Sequence, residues 1–460
     1  MNPLAASQIA QMAAGKLVSG PDSVTVRRVV TDSRTVQPGD LFVALKGPNH
    51  DAHTFVREFT ASAPSAVLVD QNVESEAAVI RVNDTLDGLQ TLAKNYRTSL
   101  QCHVVGITGS NGKTSTKDLT AAVFGSRFSV IKTQGNLNNH IGLPLSVLSI
   151  DDSHQVAVLE MGMNHPGEIA PLAAIAAPDV AIITNIGTAH IEFMKTQEAI
   201  AQEKSELALA VSAEGVVILN ANDSFTPSIA KRCKAKVITA GIEAGDVCAT
   251  ELNTAADGTT FLVSYQSETI PAFLPIPGNH MVGNAMLALA AGLAHGISLK
   301  TAVDTLGKIQ LTSGRLESKE IGGIHFLDDS YNANPDSMLA ALATLESISS
   351  MGKHVAVLGA MGELGEYAEE GHRKVGAASQ DVDILVTVGK TAEWIADEAE
   401  KSAATRVIRT ADTRQAAAAL LTLLQPGDCV LVKGSRSARM EQVIDELALS
   451  LEPVSSATTR

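Results

Sequence analysis

The run Thr108-Gly-Ser-Asn-Gly-Lys-Thr114 sets two glycines, a lysine and a threonine between a short apolar segment, Val104 to Ile107, and an amphipathic stretch opening near Thr114. Gly109 and Gly112 let the backbone around Ser110 and Asn111 turn so that its N–H groups point at one spot, where a helix N-terminus adds partial positive charge. Lys113 can then reach the β- and γ-phosphates of a nucleotide, and the Thr114 hydroxyl can ligate Mg²⁺. The strict Walker pattern puts its first glycine where Ile107 stands, and Gly106 comes one place too early, so the loop is a variant.

Other reactive groups fall at the ends of apolar runs. Glu160 follows Gln155 to Leu159, where a doubly wound sheet holds its ligands, and a carboxylate there can hold Mg²⁺. His190 follows Asp179 to Thr184 through Asn185-Ile-Gly-Thr-Ala and falls on the same rim; one histidine beside oxygen ligands is compatible with magnesium without being diagnostic. Asn136, Asn138 and Asn139 form an amide-rich loop suited either to a polar ligand or to turn and cap chemistry. Lys204, flanked by Glu203 and Glu206 in the helical stretch Gln197 to Ala210, reads from its charge pattern as a surface lysine with partners. Asp328-Asp-Ser-Tyr-Asn-Ala-Asn-Pro335 leaves a strand and stops at a helix-opening proline, which makes a polar cluster of Asp329, Tyr331, Asn332 and Asn334. Lys433-Gly-Ser-Arg436 repeats that arrangement after Cys429 to Val432 and offers two cations; with Lys113 and Arg315 these are the local charges able to hold a small anion.

The elements that position these residues predict an α/β chain. At 460 residues it exceeds one core, and usual domain size suggests about three domains. From Val104 strands and helices alternate, with further strands at Gly215 to Leu219, Thr259 to Ser264 and Ile270 to Leu274, and helices from Gly167, Gln197 and Gly283. The pattern breaks near Gln310 to Gly314, and a second series follows at Ile324 to Leu327, His354 to Leu358, Asp383 to Val388 and Cys429 to Val432. The expected units are a mixed α/β N-terminal domain (1–100), a central P-loop domain with a parallel sheet (101–312) and a Rossmann-like doubly wound domain (313–460). Asp40 to Leu45 is extended after a Pro38-Gly39 turn, and the tail Ser-Ser-Ala-Thr-Thr-Arg is expected to fray. A net charge of −15 argues against a nucleic-acid surface, and no apolar run reaches the roughly 20 residues of a membrane span. The four scattered cysteines form no CxxC pair and read as apolar filler in a cytoplasmic, monomeric enzyme acting on small molecules.

In their order these segments resemble the Mur ligase family, the ATP-dependent amide-forming enzymes of peptidoglycan assembly, over nearly the whole chain. Thr31-Asp-Ser-Arg34 with Pro38 to Leu45 is similar to the family's UDP-binding segment, which implies substrate contacts at Ser33 and Arg34. Thr108 to Thr114, Gly135 to Asn139, Glu160 to Met163, Asn185 to His190 and the Lys204 helix fall in family order. Asp329 to Pro335, Gly359-Ala-Met-Gly-Glu-Leu364 and Lys433 to Arg436 resemble the branch that adds D-alanyl-D-alanine. The resemblance implies that Thr108 to Thr114 bind ATP, that Thr114, Glu160 and His190 hold Mg²⁺, and that Asn284 contacts adenine, Arg315 a phosphate and Asp329 the ribose. It also implies that Lys204 is carbamylated, which reverses the surface reading, and that the asparagine loop and the Tyr331 cluster bind substrate. Met281 replaces a frequent asparagine after His280, and Ala52 a usual glycine in Asp51-Ala-His53.

The implied reaction is phosphorylation of the terminal carboxylate of UDP-N-acetylmuramoyl-tripeptide by ATP, then attack by the amine of D-alanyl-D-alanine. Catalysis would rest on positioning and on charge neutralisation by Mg²⁺, Lys113 and Arg315. Two alternatives remain: a sibling ligase adding a diamino acid, though its Asp-Asn-Pro-Arg motif is absent, and a regulatory P-loop NTPase. Folate polyglutamylation leaves Asp32-Ser-Arg34 without an account.

Overall fold

The computed structural model describes residues 1–59, 64–402 and 404–451; the tail expected to fray lies outside them. Three large sheets are present. The N-terminal one orders Lys16–Ser19, Ala78–Arg81, Ala66–Val69, Asp40–Val43 and Arg28–Val30, parallel except for the first strand. Its central strands are buried along their length, as continuous apolar runs in a parallel sheet must be. Buried Asp40 receives two bonds from Arg28, at 2.8 and 2.7 Å, and so is not left as an unpaired charge.

The nine-stranded central sheet runs Glu268–Leu274, Gly258–Tyr265, Val247–Ala255, Lys236–Ile242, Val216–Asn220, Val180–Ile183, His103–Thr108, Val156–Glu160, Val130–Lys132. After His103–Thr108 the chain builds first to one side and then to the other, so this strand sits at the point where strand order reverses. A doubly wound sheet opens a ligand crevice there. The register pairs Ile107 with Glu160 and Thr108 with Ile183, which brings three strand ends to one rim.

Two expectations shift. The helix expected from Gly283 begins at Asn279, directly after Gly278 (φ +104°), because Asn279 and His280 are polar and lie outside the apolar pattern that marked its start. The helix expected from Gly167 begins at Ile169, where the Glu203 carboxylate accepts the Ile169 and Gly167 N–H groups, each at 2.8 Å. Strands Lys236–Ile242 and Val247–Ala255 carry no clear sequence signal: the first is a short apolar pair, Val237 and Ile238, between Lys236 and Thr239, and the second turns Glu251 and Asn253 outward.

The C-terminal sheet orders Glu317–Ile321, Ile324–Asp329, Cys429–Lys433, His354–Gly359, Ile384–Val388 and Arg406–Thr410. Only the first pair is antiparallel, joined by Gly322-Gly323, both at positive φ as a tight hairpin turn demands. The passage between the central and C-terminal sheets carries Gly314 (φ +74°) and Leu316 (φ +53°). Just before it, the Thr312 N–H and hydroxyl both donate to Asp118 Oδ2, at 2.9 and 2.8 Å, on the helix Lys113–Gly125. Asp118 also pairs with Lys132 Nζ at 2.7 Å and lies 3.8 Å from buried Lys117. Burial pushes the Asp118 carboxyl up, but Lys132, Lys117 and Thr312 outweigh it, and its pKa falls below the ordinary value. Asp118→Ala strands Lys117 without its neighbouring charge, and we expect a loss of about 3 kcal/mol in stability. An unshifted unfolding midpoint would contradict this.

Candidate active site

A cavity of about 1400 Å³ opens between the strand ends of the central and C-terminal sheets. Its floor is the phosphate loop. Gly109 (φ +152°) leaves no room for a Cβ against Thr184 Oγ1, and Gly112 (φ +76°) would place one 2.5 Å from Asn284 Oδ1. The loop is pinned from the next strand end. Ser110 N–H donates to the Asn185 carbonyl (2.9 Å), Asn111 N–H to Asn185 Oδ1 (2.9 Å) and Gly187 N–H to Ser110 Oγ (2.8 Å).

Lys113 Nζ folds over the loop and donates to the Gly109 and Ser110 carbonyls at 2.8 and 3.2 Å. Burial lowers its pKa against the pull of Glu160. The arrangement is a cation held over a ring of N–H groups, ready to exchange carbonyl partners for phosphate oxygens.

Thr114 Oγ1 donates to Glu160 Oε2 at 2.9 Å, and Asn138 Nδ2 to Oε1 at 2.8 Å. Glu160 is 3% exposed, and its N–H donates to Thr133 Oγ1 at 3.0 Å. Among the described residues no group of three or more His, Cys, Asp or Glu side chains converges as a metal cluster. The donors fit a Mg²⁺ site completed by phosphate oxygens, which needs only one or two protein carboxylates.

His190 lines the same cavity in a left-handed conformation (φ +64°), with Nδ1 2.6 Å from Glu363 Oε2 of the C-terminal sheet's loops. His190 holds the Glu363 carboxyl below its ordinary pKa. Lys204 is not a surface residue, contrary to its charge pattern. It is 0% exposed, and its Nζ has no hydrogen-bond partner among the described residues. Glu203 is spent on the helix start and Glu206 faces Arg232, so neither supplies the expected partner. Burial, and then the charge of Lys113, drive the Lys204 pKa well below its ordinary value.

The opposite wall comes from the C-terminal sheet. Arg315 stacks over Tyr331, its guanidinium carbon 4.2 Å from the ring centroid, and its Nε is buried with no partner among the described residues. Lys433 is not a free cation as its motif suggested. It ion-pairs with Asp329 at 2.5 Å and donates to the Asn332 carbonyl at 3.0 Å, because buried Lys433 needs a counter-charge. Arg436 likewise pairs with Glu441 at 3.0 Å. Beside them His280 is pushed down to about 4 by burial.

Of the residues singled out, Ser110 to Thr114, Asn136, Asn138, Asn139, Glu160, His190, Asn284, Arg315, Asp329, Tyr331, Asn332, Asn334, Lys433 and Arg436 line this cavity. Thr108 and Gly109 lie beneath it and Lys204 behind it, near enough for the Lys113 charge to act on it. Ser33 and Arg34 lie elsewhere, in the turn Ser33–Thr35 of the N-terminal unit. There Arg34 holds the Asp32 carboxyl down to about 2. Sequence reasoning missed Glu363, Asp336 and Asn185 as site residues. Asn185 and Glu363 stood inside motifs already noticed, and Asp336 looked like an ordinary first-turn helix acid.

Two family models match the chain: the Mur ligase middle domain over residues 107–292 and the Mur ligase, glutamate ligase domain over 314–436. UDP-N-acetylmuramoyl-tripeptide--D-alanyl-D-alanine ligase of Bacillus subtilis strain 168 is 38% identical, covering 95% of this chain and 97% of that protein. A crystal structure of MurF from Acinetobacter baumannii superposes with a TM-score of 0.91 at 34% identity, over 98% of this chain and 99% of that one. MurF ligase from Thermotoga maritima in complex with ADP gives 0.85 at 30% identity, over 93% and 98%.

Proposed function

Since the chain belongs to the Mur ligase family, we propose that the cavity between its central and C-terminal sheets is where ATP, a UDP-linked peptide and an incoming amine meet. The enzyme is an ATP-dependent ligase that joins D-alanyl-D-alanine to UDP-N-acetylmuramoyl-tripeptide, forming an amide bond in peptidoglycan synthesis. The observation that carries the site assignment is the pairing of Thr114 with Glu160 on a phosphate loop whose lysine faces the same cavity as the C-terminal sheet's polar cluster.

In this reading the loop N–H groups and Lys113 seat the triphosphate, Asn284 lies against the adenine side, and Asp329 meets the ribose. Thr114 and Glu160, with His190 on the same rim, would hold Mg²⁺, which supplies neutralisation of phosphoryl charge. Arg315, with an unpaired buried Nε, reaches the phosphates from the hinge. The tripeptide carboxylate, presented by Asn136, Asn138 and Asn139, attacks the γ-phosphorus while the bond to the ADP oxygen breaks. The D-alanyl-D-alanine amine, having lost a proton, then attacks the acyl carbon and phosphate leaves. The acyl phosphate must be kept from water, and the enclosing of the cavity by both sheets serves that.

Lys204 fits carbamylation. Burial favours the uncharged form of this amine, and an uncharged amine nitrogen can add CO₂ with release of a proton, giving a carboxylate-like group behind the loop. The three sheets support units at 1–100, 101–312 and 313–460, with Ser33, Arg34 and the Asp51-Ala-His53 loop on the UDP side. A ligation assay pairing the tripeptide and dipeptide precursors with D-alanyl-D-alanine and with single amino acids tests the assignment. Product is expected only from the tripeptide with D-alanyl-D-alanine; ligation of a diamino acid to the dipeptide would overturn it.

A further inference from the structure

One tie between the two sheets has no place in the chemistry above. Asp336, in the first turn of the helix Pro335–Ser347, extends Oδ2 across the cavity mouth to the loop that follows strand Val180–Ile183. There it accepts the Thr188 N–H at 2.7 Å and the Thr188 hydroxyl at 2.9 Å. The neighbouring Gly187 must be bare, since a Cβ would stand 2.5 Å from the same oxygen. Gly187 N–H in turn donates to Ser110 Oγ of the phosphate loop. A second strut runs parallel to the first: Asn334, whose Oδ1 caps the same helix, donates from Nδ2 to Asn111 Oδ1 at 2.7 Å. The N-terminus of one C-terminal helix is thus fastened at two points, directly to the phosphate loop through Asn334 and to the neighbouring loop that pins it through Asp336.

We propose that Asp336 is a positioning residue for ligation, a clasp on Gly187-Thr188 that sets the C-terminal sheet against the phosphate loop when the substrates are bound. The inference rests on the ligase reading. Asp336 touches no reacting atom. It acts through Thr188, and a charged acceptor shared by two donors is stronger than a neutral one. Reactants held on two separate sheets lose rate steeply when the sheets are misregistered by about 1 Å. Most of the proposed nucleotide contacts, the loop N–H groups with Lys113, Thr114 and Asn284, lie in the central unit, so nucleotide affinity falls less than the rate.

The test compares wild type, Asp336→Ala, Asp336→Asn and Gly187→Ala in the full chain. Asp336→Ala is expected to lower kcat for ligation by about tenfold or more while ADP affinity moves less than about threefold. Asp336→Asn, which keeps an acceptor oxygen in place, recovers part of the rate. Gly187→Ala drives a methyl into the clasp and lowers kcat in wild type, but adds little in the Asp336→Ala background. Small-angle X-ray scattering with a non-hydrolysable ATP analogue shows less compaction for Asp336→Ala than for wild type, at an unchanged melting temperature. Wild-type kcat and compaction in Asp336→Ala overturn the proposal, as does ADP affinity falling in step with kcat. Should wild type fail to ligate, the functional reading falls, and the scattering comparison still decides the clasp.

Discussion

Lys113→Ala is expected to lower kcat for ligation by about a thousandfold or more, while affinity for the UDP-linked substrate stays within about threefold. The lysine is held over the phosphate loop by two carbonyls that it can exchange for phosphate oxygens. Its charge is needed most when the γ-phosphoryl group is in flight, so its loss falls on kcat more than on ground-state binding. The uridine side is proposed to lie at Ser33 and Arg34, which are outside the cavity that Lys113 lines. Steady-state kinetics with calorimetry of the UDP substrate reads both quantities. Loss of the two together would contradict separate sites.

Lys204→Ala is the second large effect. If the buried amine carries a carbamate, its removal deletes a negative charge behind the loop, and we expect kcat to fall by about a hundredfold or more. The distinguishing readout is chemical. Wild type equilibrated with ¹³C-bicarbonate shows a carbamate carbon signal that is absent in Lys204→Ala, and CO₂ depletion lowers wild-type activity reversibly. Acid weakens the modification, because protonating the amine removes the nucleophile that CO₂ needs. A wild type with no such signal and full activity without CO₂ would defeat the assignment.

Local chemistry was legible in the sequence wherever it was written in contiguous residues. The phosphate loop, Glu160 after its strand and the cluster from Asp329 to Pro335 could all be placed because strand ends and turn residues announce themselves. Pairings between distant segments could not. The ion pair that binds Lys433 to Asp329 joins residues over a hundred positions apart, and so does the Asp336–Thr188 tie. No periodicity reports such contacts. Lys204 shows the limit most sharply. Flanking acids imitate a solvent-facing helix, yet Glu203 turns away to cap Ile169 and the lysine is sealed inside. The resemblance to a family was the one signal against a surface position. The antiparallel extension of the central sheet was read in part, since Val247–Ala255 has few apolar residues and packs one face only.

The central claim is that the γ-phosphate is transferred to a substrate carboxylate and not to water. Tripeptide precursor labelled with ¹⁸O in both oxygens of its terminal carboxylate tests this directly, in the presence of ATP and D-alanyl-D-alanine. An acyl phosphate requires one labelled oxygen to leave with every phosphate released as the amide forms. Phosphate free of label, released at the same rate with or without the two peptides, would contradict the account.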